Sequence, residues 1–487
     1  MSSSSALSRS SPESEGVDPA GIQVFVDTLE SAPDIEMHSL MIIRHGQVVA
    51  EGWWSPYAPE QTHLLYSLSK SFASTAAAFA VAEGLLDLDA TVLSCFPELD
   101  REITDPRSRS MLVRHVAAMA SGHLKETADR ALVLDPLEPV RGFLLIPPDR
   151  EPGSVFAYNQ PCTYSLAAIV QRLTGQTLTA YLRPRLFDPL GIGRVGWQQY
   201  PGGRDIGYSG LHATTDAIAR LGLLYLQGGV WNGQRLLSEE WVAEATREQI
   251  ETPNEPNPDW QRGYGFQFWM SRHGYRGDGA YGQFCLVLPE QDAVIATTAA
   301  TENMQGILDA VWMHLVPAMS AMPAKTAATL QPSPAAEQLA ARLAGLRLPA
   351  FEAKHAPESS MSAWADAWFL PAGGRCKAQP TLTGIQLHQD HEHWQLALVE
   401  DAVAFSAAVG TEGWHTNLLE THPRSTSVPL AVSGGWTDED TFGAEVIFLE
   451  TPHRLELSCS LATRTFQANW RTVPLRAGRL FELRMPR

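Results

Sequence analysis

Cysteine and lysine are both scarce in this chain of 487 residues. The five cysteines lie far apart and form no CxxC pair, so neither a disulfide framework nor a zinc knuckle is indicated. Almost all of the basic residues are arginine, so a lysine in an apolar stretch needs a chemical explanation. The lysines are Lys70, Lys125, Lys325, Lys354 and Lys377.

Positive charge and long hydrophobic runs are also lacking. The chain has 36 Lys and Arg against 54 Asp and Glu, a formal net charge of −18, and such a surface would repel a nucleic-acid backbone. No run of about 18 apolar residues is present to span a membrane. The serine-rich start, MSSSSALSRSSPESEG, has no hydrophobic signal-peptide core. We therefore expect a cytoplasmic protein without nucleic-acid or membrane partners.

Apolar residues make up 44% of the chain, which is enough for more than one core. Strand patterns at about 38–54 and 263–300 enclose a helix-rich middle, which predicts an α+β domain whose sheet joins N- and C-terminal strands. From about residue 360 onward, short alternating strands predict an all-β sandwich or barrel. The predicted divisions are a flexible N-terminus at 1–15, a first domain at 16–320, a linker at 321–350 and a β domain at 351–487.

The stretch YSLSKSFAS, residues 66–74, places Lys70 one helical turn after Ser67. Residues three apart share a helix face, and a hydroxyl at a helix start lies at the positive end of the dipole. Phe72 and the alanines after it predict a buried helix, where burial favours a neutral lysine that can accept the serine proton. The SxxK pattern is a signature of acyl transfer. The alternative is a serine that caps the helix beside a surface lysine.

YSLSKSFAS resembles the first motif of the serine β-lactamase and penicillin-binding-protein superfamily, most closely the class C β-lactamases with their esterase and D-peptidase relatives. The resemblance spans roughly residues 12 to 315 and implies a β-lactamase/transpeptidase-like fold, with an antiparallel sheet flanked by helices beside an all-α portion. A C-terminal all-β domain would follow it. The stretches that match in order are LLDLDATV (85–92), VRHVAAMASGH (113–123), PPDREPGSVFAYNQ (147–160), GLHATTDAIARLGLLYL (210–226) and RLLSEEWV (235–242).

The second motif of this family, Tyr-x-Asn, reads Tyr158-Asn159-Gln160 here. The resemblance implies that Tyr158 passes a proton between the serine and the leaving group. A nearby lysine ammonium would lower the pKa of this phenol. Gln160 stands where the family has asparagine and can donate an amide hydrogen bond, so Gln160 and Asn159 are candidate substrate-binding residues.

The third family motif, Lys-Thr-Gly, is absent, and the best match is Gly277-Asp278-Gly279-Ala280, expected at the start of a strand. The resemblance implies an oxyanion hole built from the N–H groups of Ser67 and Ala280, with Gly279 allowing the backbone to approach the acyl carbonyl. Asp278 should repel the carboxylate of penicillins and cell-wall peptides and favour a neutral or cationic substrate, although Arg276 could offset its charge. The alternative for Asp278 is a turn residue that caps the strand.

The sequence thus predicts a serine hydrolase that cleaves a small-molecule ester or amide through an acyl-enzyme on Ser67. We expect an esterase or amidase rather than a true β-lactamase, with no metal and no organic cofactor. A transacylase or D-aminopeptidase on the same scaffold is one alternative, and a penicillin-type sensor or binding protein without turnover is another. A homo-oligomer is left open.

Overall fold

The computed structural model describes residues 6–200, 202–319, 333–354, 361–390, 393–401, 403–421 and 426–486. Contacts divide the chain into two units, which we call the N-terminal unit and the C-terminal unit. The N-terminal unit runs through Gly52 and resumes from Leu65 to Gly345. The C-terminal unit consists of Trp53–Leu64 and Leu346–Met485, so it includes a short segment from early in the sequence.

The helices up to residue 345 and the strands up to residue 300, apart from the two-residue strand His63–Leu64 of the C-terminal unit, build the predicted α+β architecture. The helices are α1 (Pro19–Ser31), α2 (Ser69–Ala82), α3 (Pro106–Ser110), α4 (Val113–Ala117), α5 (Ala128–Leu134), α6 (Pro139–Leu144), α7 (Gln160–Thr174), α8 (Leu178–Leu182), α9 (Asp188–Leu190), α10 (Thr215–Leu226), α11 (Glu239–Ala245), α12 (Met304–Ala310), α13 (Val316–Ala318) and α14 (Pro334–Ala344). The strands are β1 (Glu36–Arg44), β2 (Gln47–Trp53), β3 (His63–Leu64), β4 (Gly196–Trp197), β5 (Leu211–Ala213), β6 (Val230–Trp231), β7 (Gln234–Arg235), β8 (Trp269–Ser271), β9 (Gly274–Gly279), β10 (Gln283–Leu288) and β11 (Ala293–Ala300).

A six-stranded sheet with the order β2-β1-β11-β10-β9-β8 forms the centre of the N-terminal unit. Strand β1 pairs antiparallel with β11, with Ile42 opposite Ile295, so strands from the two ends of this unit meet in one sheet as the sequence predicts. Every residue of β1 and β11 is buried, because the sheet is covered on both faces. On one face, Gly222 of α10 permits close packing, since a Cβ there would lie 2.6 Å from Val294 Cγ1.

Helix α2 is buried along nearly its whole length and packs against α7. Its alanines carry little side-chain entropy and let neighbouring helices approach closely. The helix ends at Ala82, and Gly84 follows with φ +69°, the left-handed conformation that a helix-terminating glycine supplies. The buried helix predicted from Phe72 and the alanines after it is therefore confirmed, and it places Lys70 inside the core.

Two local predictions differ from the structure. The stretch 263–270 was expected to be a strand, but strand β8 begins only at Trp269. Gln267 adopts φ +65°, which interrupts an extended backbone. Residues 321–332 of the predicted linker 321–350 lie outside the described residues, whereas 334–344 form helix α14, whose Arg342 makes an ion pair with Asp27 of α1 at 3.1 Å.

The C-terminal unit has a short helix, α15 (Met361–Trp364), and one nine-stranded sheet with the order β15-β14-β13-β12-β20-β19-β18-β17-β16. The two edge strands, β15 and β16, lie side by side, so the sheet is nearly closed and resembles a barrel more than a two-sheet sandwich. Trp364, Trp394 and Trp436 are among the buried side chains of its core. The strands are β12 (Ala367–Pro371), β13 (Leu382–Asp390), β14 (His393–Glu400), β15 (Val403–Ala408), β16 (His415–Thr421), β17 (Thr426–Trp436), β18 (Thr441–Phe448), β19 (Arg454–Ser460) and β20 (Thr465–Trp470).

The segment 53–64 is held within the C-terminal unit by backbone and side-chain hydrogen bonds. Ser55 donates its N–H to the Leu346 carbonyl at 3.1 Å and accepts from the Leu348 N–H at 2.8 Å. The Tyr57 hydroxyl donates to the Thr451 carbonyl at 3.0 Å. In the part of the chain that the structure describes, no helix has the length and apolar content needed to cross a bilayer.

Candidate active site

Ser67 lies in a 3₁₀ turn, Tyr66–Leu68, that leads directly into α2. Tyr66 has φ +48°, a conformation that a bulky residue rarely adopts and that marks local strain. Two hydrogen bonds hold the turn: Leu68 N–H donates to the Leu65 carbonyl at 3.1 Å, and Leu65 N–H donates to the Leu211 carbonyl at 2.8 Å. The strained turn therefore presents Ser67 at the entrance of a buried helix.

The four serines of 66–74 have different surroundings. Ser69 Oγ accepts a hydrogen bond from the Leu211 N–H at 3.0 Å. The hydroxyls of Ser71 and Ser74 both donate to backbone carbonyls. Those bonds run from Ser71 to the Gln267 carbonyl at 2.9 Å and from Ser74 to the Phe266 carbonyl at 2.7 Å. All three of these serines are buried, whereas Ser67 is partly exposed. Ser67 is thus the serine of this stretch that a substrate can reach.

Lys70 has a relative exposure of 1%, so the alternative of a surface lysine is wrong. Its Nζ lies 2.9 Å from Ser67 Oγ and 2.8 Å from the Tyr208 carbonyl oxygen. Burial lowers the pKa of Lys70 to about 7, although the negative charges of Glu126 and Asp278 oppose the shift. A substantial fraction of Lys70 is therefore a neutral amine near pH 7, with a lone pair within reach of the serine proton.

Tyr158 lies next to this group, because the Ser67 side chain is close enough to influence the pKa of its phenol. The Lys70 Nζ lies 4.8 Å from the centre of the Tyr158 ring. The ring stacks on Trp269, with 5.5 Å between centroids and 18° between planes. Contact with Trp269 holds the phenol in place.

The predicted lowering of the Tyr158 pKa is wrong. Burial and, after it, the Asp278 carboxylate raise the pKa of this phenol well above its ordinary value, while the influence of the Ser67 side chain only partly opposes them. The expectation considered the lysine charge alone and could not include the carboxylate that the fold brings close. Tyr158 therefore stays protonated at neutral pH and can serve as a hydrogen-bond donor and proton relay, not as a phenolate base.

Asn159 and Gln160 lie between the tyrosine and helix α7. The buried Asn159 uses its Oδ1 to accept from the N–H and the hydroxyl of Thr127, at 3.0 and 2.9 Å. Gln160 is the first residue of α7, and its backbone N–H donates to the Glu126 carboxylate at 3.0 Å. Asn159 Nδ2 and Gln160 Oε1 are buried without a hydrogen-bond partner among the described residues, so each retains a free polar atom.

The stretch 277–280 lies at the end of strand β9, not at its start as expected. A Cβ on Gly279 would lie 2.0 Å from the Leu65 carbonyl oxygen and 3.0 Å from Leu68 N. A Cβ on Gly277 would lie 2.5 Å from Ser71 Oγ. The two glycines thus let the strand run directly against the turn of Ser67, with Ala280 immediately beyond it.

Asp278 is a buried strand residue, so the alternative of a turn residue is wrong. Arg276, two residues earlier on the same face of β9, donates from Nε to Asp278 Oδ2 at 3.0 Å. Burial raises the pKa of Asp278, and Arg276 opposes the shift. Arg276 is also tied to its own surroundings, through the Met270 carbonyl at 2.9 Å and Ser271 Oγ at 2.7 Å. The fold therefore pairs the carboxylate internally with Arg276, as the sequence left open.

A cavity of about 660 Å³ borders Tyr158. Several residues around this site were missed by the sequence reasoning: the Tyr208 carbonyl, Glu126, Trp269 and Glu255. Tyr208 acts through its backbone and the others are distant in sequence from Ser67, so no local pattern could identify them. Within the described ranges, no group of three or more His, Cys, Asp or Glu side chains is arranged to hold a metal ion.

Comparison with known proteins gives a family and several relatives. The family model described as Beta-lactamase matches residues 25–316. The 6-aminohexanoate-dimer hydrolase of Paenarthrobacter ureafaciens is 26% identical over 363 residues, which cover 65% of this chain and 88% of that protein. Lovastatin esterase of Penicillium rubens is 26% identical over 168 residues, covering 30% of this chain and 42% of that protein.

A solved structure shares the fold. EstCE1, described as a hydrolase with promiscuous acyltransferase activity, aligns with a TM-score of 0.51 at 19% identity. The alignment covers 60% of this chain and 99% of that chain. At this identity the similarity establishes the fold alone.

Proposed function

The chain belongs to the beta-lactamase family, and we propose that it is a serine hydrolase that cleaves an ester or amide through an acyl-enzyme on Ser67. The observation that carries this proposal is the contact between the Lys70 amine and Ser67 Oγ at 2.9 Å. The amine is buried and half deprotonated near pH 7, and the hydroxyl is open to a substrate. A nucleophile beside its own base is the arrangement that acyl transfer requires.

The chemistry follows from these positions. Ser67 Oγ forms a bond to the substrate carbonyl carbon while its proton passes to the neutral Lys70 amine. The carbonyl oxygen becomes negative, and the N–H groups of Ser67 and Ala280 are the proposed donors that stabilise it. The bond to the leaving group then breaks, and that group takes the proton from Lys70 by way of the Tyr158 hydroxyl.

Deacylation repeats the sequence with water. A water molecule attacks the acyl carbon and gives its proton to Lys70, which by then is neutral again. The bond from the acyl carbon to Ser67 Oγ breaks, Oγ recovers the proton, and a carboxylic acid leaves. Tyr158 fits the role of relay because its raised pKa keeps its hydroxyl protonated between transfers.

The substrate is proposed to be a small ester or amide and not a β-lactam or cell-wall peptide. The site has Gly277 where the Lys-Thr-Gly motif has its lysine, and Arg276 is already engaged with Asp278. An anionic substrate would therefore find no free cation at the position of that motif. The names of the two curated relatives, a hydrolase and an esterase, support the same class of reaction.

Covalent labelling tests the proposal. We expect wild-type protein to react with a fluorophosphonate probe and to turn over p-nitrophenyl esters. Ser67→Ala should abolish the label and lower kcat by about 10³-fold or more. Ser69→Ala is the matched control: it removes a buried hydroxyl two residues further along the chain and should keep the label. A stable fluorescent-penicillin label without ester turnover would overturn the hydrolase and favour the sensor, and turnover that needs an added alcohol or amine acceptor would identify a transacylase.

A further inference from the structure

Carboxylates dominate the charge of the cavity beside Tyr158. Glu126, Glu251 and Glu255 line it, and Lys125 is the one basic residue among the lining residues. Asp278 adds a further negative charge close to Tyr158, as its effect on the pKa of that phenol shows. Negative potential concentrated in a cleft attracts cations and repels anions.

The three carboxylates of this cavity differ in what they bind. Glu126 already accepts from the backbone N–H groups of Thr127 and Ala128, both at 2.9 Å, and from that of Gln160. Glu126 therefore holds the ends of loops and helices together. Glu251 is exposed to solvent, where its charge is well hydrated. Neither of them needs a ligand to satisfy its charge.

Glu255 differs from both. It is partly buried, and among the described residues its carboxylate makes no hydrogen bond and no ion pair. Burial and, after it, the negative charge of Asp278 raise the pKa of Glu255. A partly buried carboxylate without a cation costs free energy, and a positively charged ligand would offset that cost.

The backbone of Glu255 has separate tasks. Its N–H donates to the Thr252 carbonyl at 3.3 Å, and its carbonyl accepts from Gln261 Nε2 at 2.7 Å. These bonds hold the loop in place without the side chain. A change at the carboxylate should therefore leave the loop conformation intact, which separates a structural role from a role in recognition.

We propose that Glu255 is a specificity-determining residue that binds a positively charged group, such as a primary ammonium, on the substrate. The proposal rests on the proposed function, because a substrate that reacts with Ser67 has to extend into the cavity that Tyr158 lines. It deepens that function by naming the substrate class: an ester or amide with a cation on the part that extends away from the scissile bond.

Three p-nitrophenyl esters of equal chain length test the assignment: one ends in a methyl group, one in an ammonium and one in a carboxylate. For the wild type we expect kcat/KM to be about tenfold higher for the ammonium ester than for the methyl ester. One ion pair that is partly shielded from water supplies a preference of about this size. The carboxylate ester should be the poorest substrate. Added salt should reduce the preference, since screening weakens a pair that water can reach.

Variants assign the preference to one residue. Glu255→Gln should bring the ammonium ester down to the level of the methyl ester and leave the methyl ester unchanged. Glu255→Lys should reverse the order and favour the carboxylate ester. Glu290→Gln, a change of the same kind at an exposed glutamate outside the cavity, should alter none of the three rates.

The outcomes separate the two proposals. Equal rates for the methyl and ammonium esters in wild-type protein would overturn the role of Glu255 and leave the hydrolase standing. An equal loss for all three esters in Glu255→Gln would show a structural role and overturn the assignment as well. If wild-type protein cleaves none of the esters and takes no label at Ser67, both proposals fall.

Discussion

The two units of the chain bury different kinds of side chain. The N-terminal unit encloses Lys70, Arg276 and Asp278, and burial shifts the pKa of each away from its ordinary value. The core of the C-terminal unit is a cluster of aromatic and aliphatic side chains that includes Trp364 and Phe442. Charge in a protein interior costs free energy, so buried charges with shifted pKa values beside a partly exposed serine indicate where the chemistry takes place.

The C-terminal unit also has buried carboxylates, and their surroundings sharpen the contrast. Glu450 accepts from the Thr62 hydroxyl at 3.1 Å and from the Met485 N–H at 2.7 Å. Glu400 accepts from Gln379 at 3.1 Å and from the Leu480 N–H at 2.8 Å. Both carboxylates are enclosed by partners from their own unit and therefore act as structural ties. Lys70, in contrast, contacts a hydroxyl that solvent and substrate can reach.

Lys70→Ala should have the largest effect of the changes that test this contrast. Without the amine, Ser67 loses its proton acceptor, and kcat/KM for a p-nitrophenyl ester should fall by about 10²- to 10⁴-fold with the fold intact. Lys377→Ala, an exposed lysine of the C-terminal unit, is the control and should leave the rate unchanged. Circular dichroism checks the fold of both variants. Wild-type rates in Lys70→Ala would remove the lysine from the mechanism.

Gly279→Ala should have the next largest effect, because the new Cβ would lie 2.0 Å from the Leu65 carbonyl oxygen. Strand β9 would have to move away from the Ser67 turn, and we expect unfolding to become easier by about 1–3 kcal/mol, with a loss of esterase rate. Gly413→Ala in the C-terminal unit has open space around the added methyl and should change neither quantity. Thermal denaturation and ester assays measure both. Equal stability of the two variants would show that β9 does not need the glycine.

Tyr57→Phe tests the structural ties of the C-terminal unit. It removes the hydroxyl that donates to the Thr451 carbonyl at 3.0 Å and leaves that acceptor buried. The free energy of unfolding should fall by about 1 kcal/mol, while kcat/KM stays at the wild-type value. Denaturant unfolding and the ester assay give the two readouts. A loss of rate at unchanged stability would contradict a purely structural role for this segment.

The smallest expected effect is a displacement of the pH profile. Lys70 has to be neutral to accept a proton, so kcat/KM should rise with pH through about 7 and level off above it. The Asp278 charge raises the pKa of Lys70, so Asp278→Asn should move this rise to lower pH. The free energy of unfolding should also increase with pH in the range between the pKa of Lys70 in the folded chain and its higher pKa in the unfolded chain. In that range the unfolded chain holds a proton on Lys70 and the folded chain does not, so raising the pH favours the folded chain. A rise displaced to higher pH in Asp278→Asn would contradict this electrostatic assignment.

The nucleophile and its base could be predicted because they are neighbours on one helical turn. An apolar helix around Lys70 is enough to predict burial, and burial is enough to predict a lowered pKa. The sign of the pKa shift of Tyr158 could not be predicted, because it depends first on how deeply the fold buries the phenol and then on Asp278, 120 residues further along the chain. The pairing of Arg276 with Asp278 was left open, because it required both residues to lie in one strand, and the stretch 277–280 was expected at the start of a strand, not at its end.

The sequence by itself determined the local chemistry of the chain: a serine and a lysine at helical spacing, a tyrosine motif, an α+β region and an all-β region. Periodicity, spacing and burial of short stretches act over a few residues, so they can be read without a structure. The tertiary structure alone decided which carboxylates face the tyrosine, which carbonyl accepts from the lysine, and that residues 53–64 pack with the C-terminal strands. Electrostatic and packing energies depend on distances in space, and only the folded chain sets distances between residues far apart in sequence.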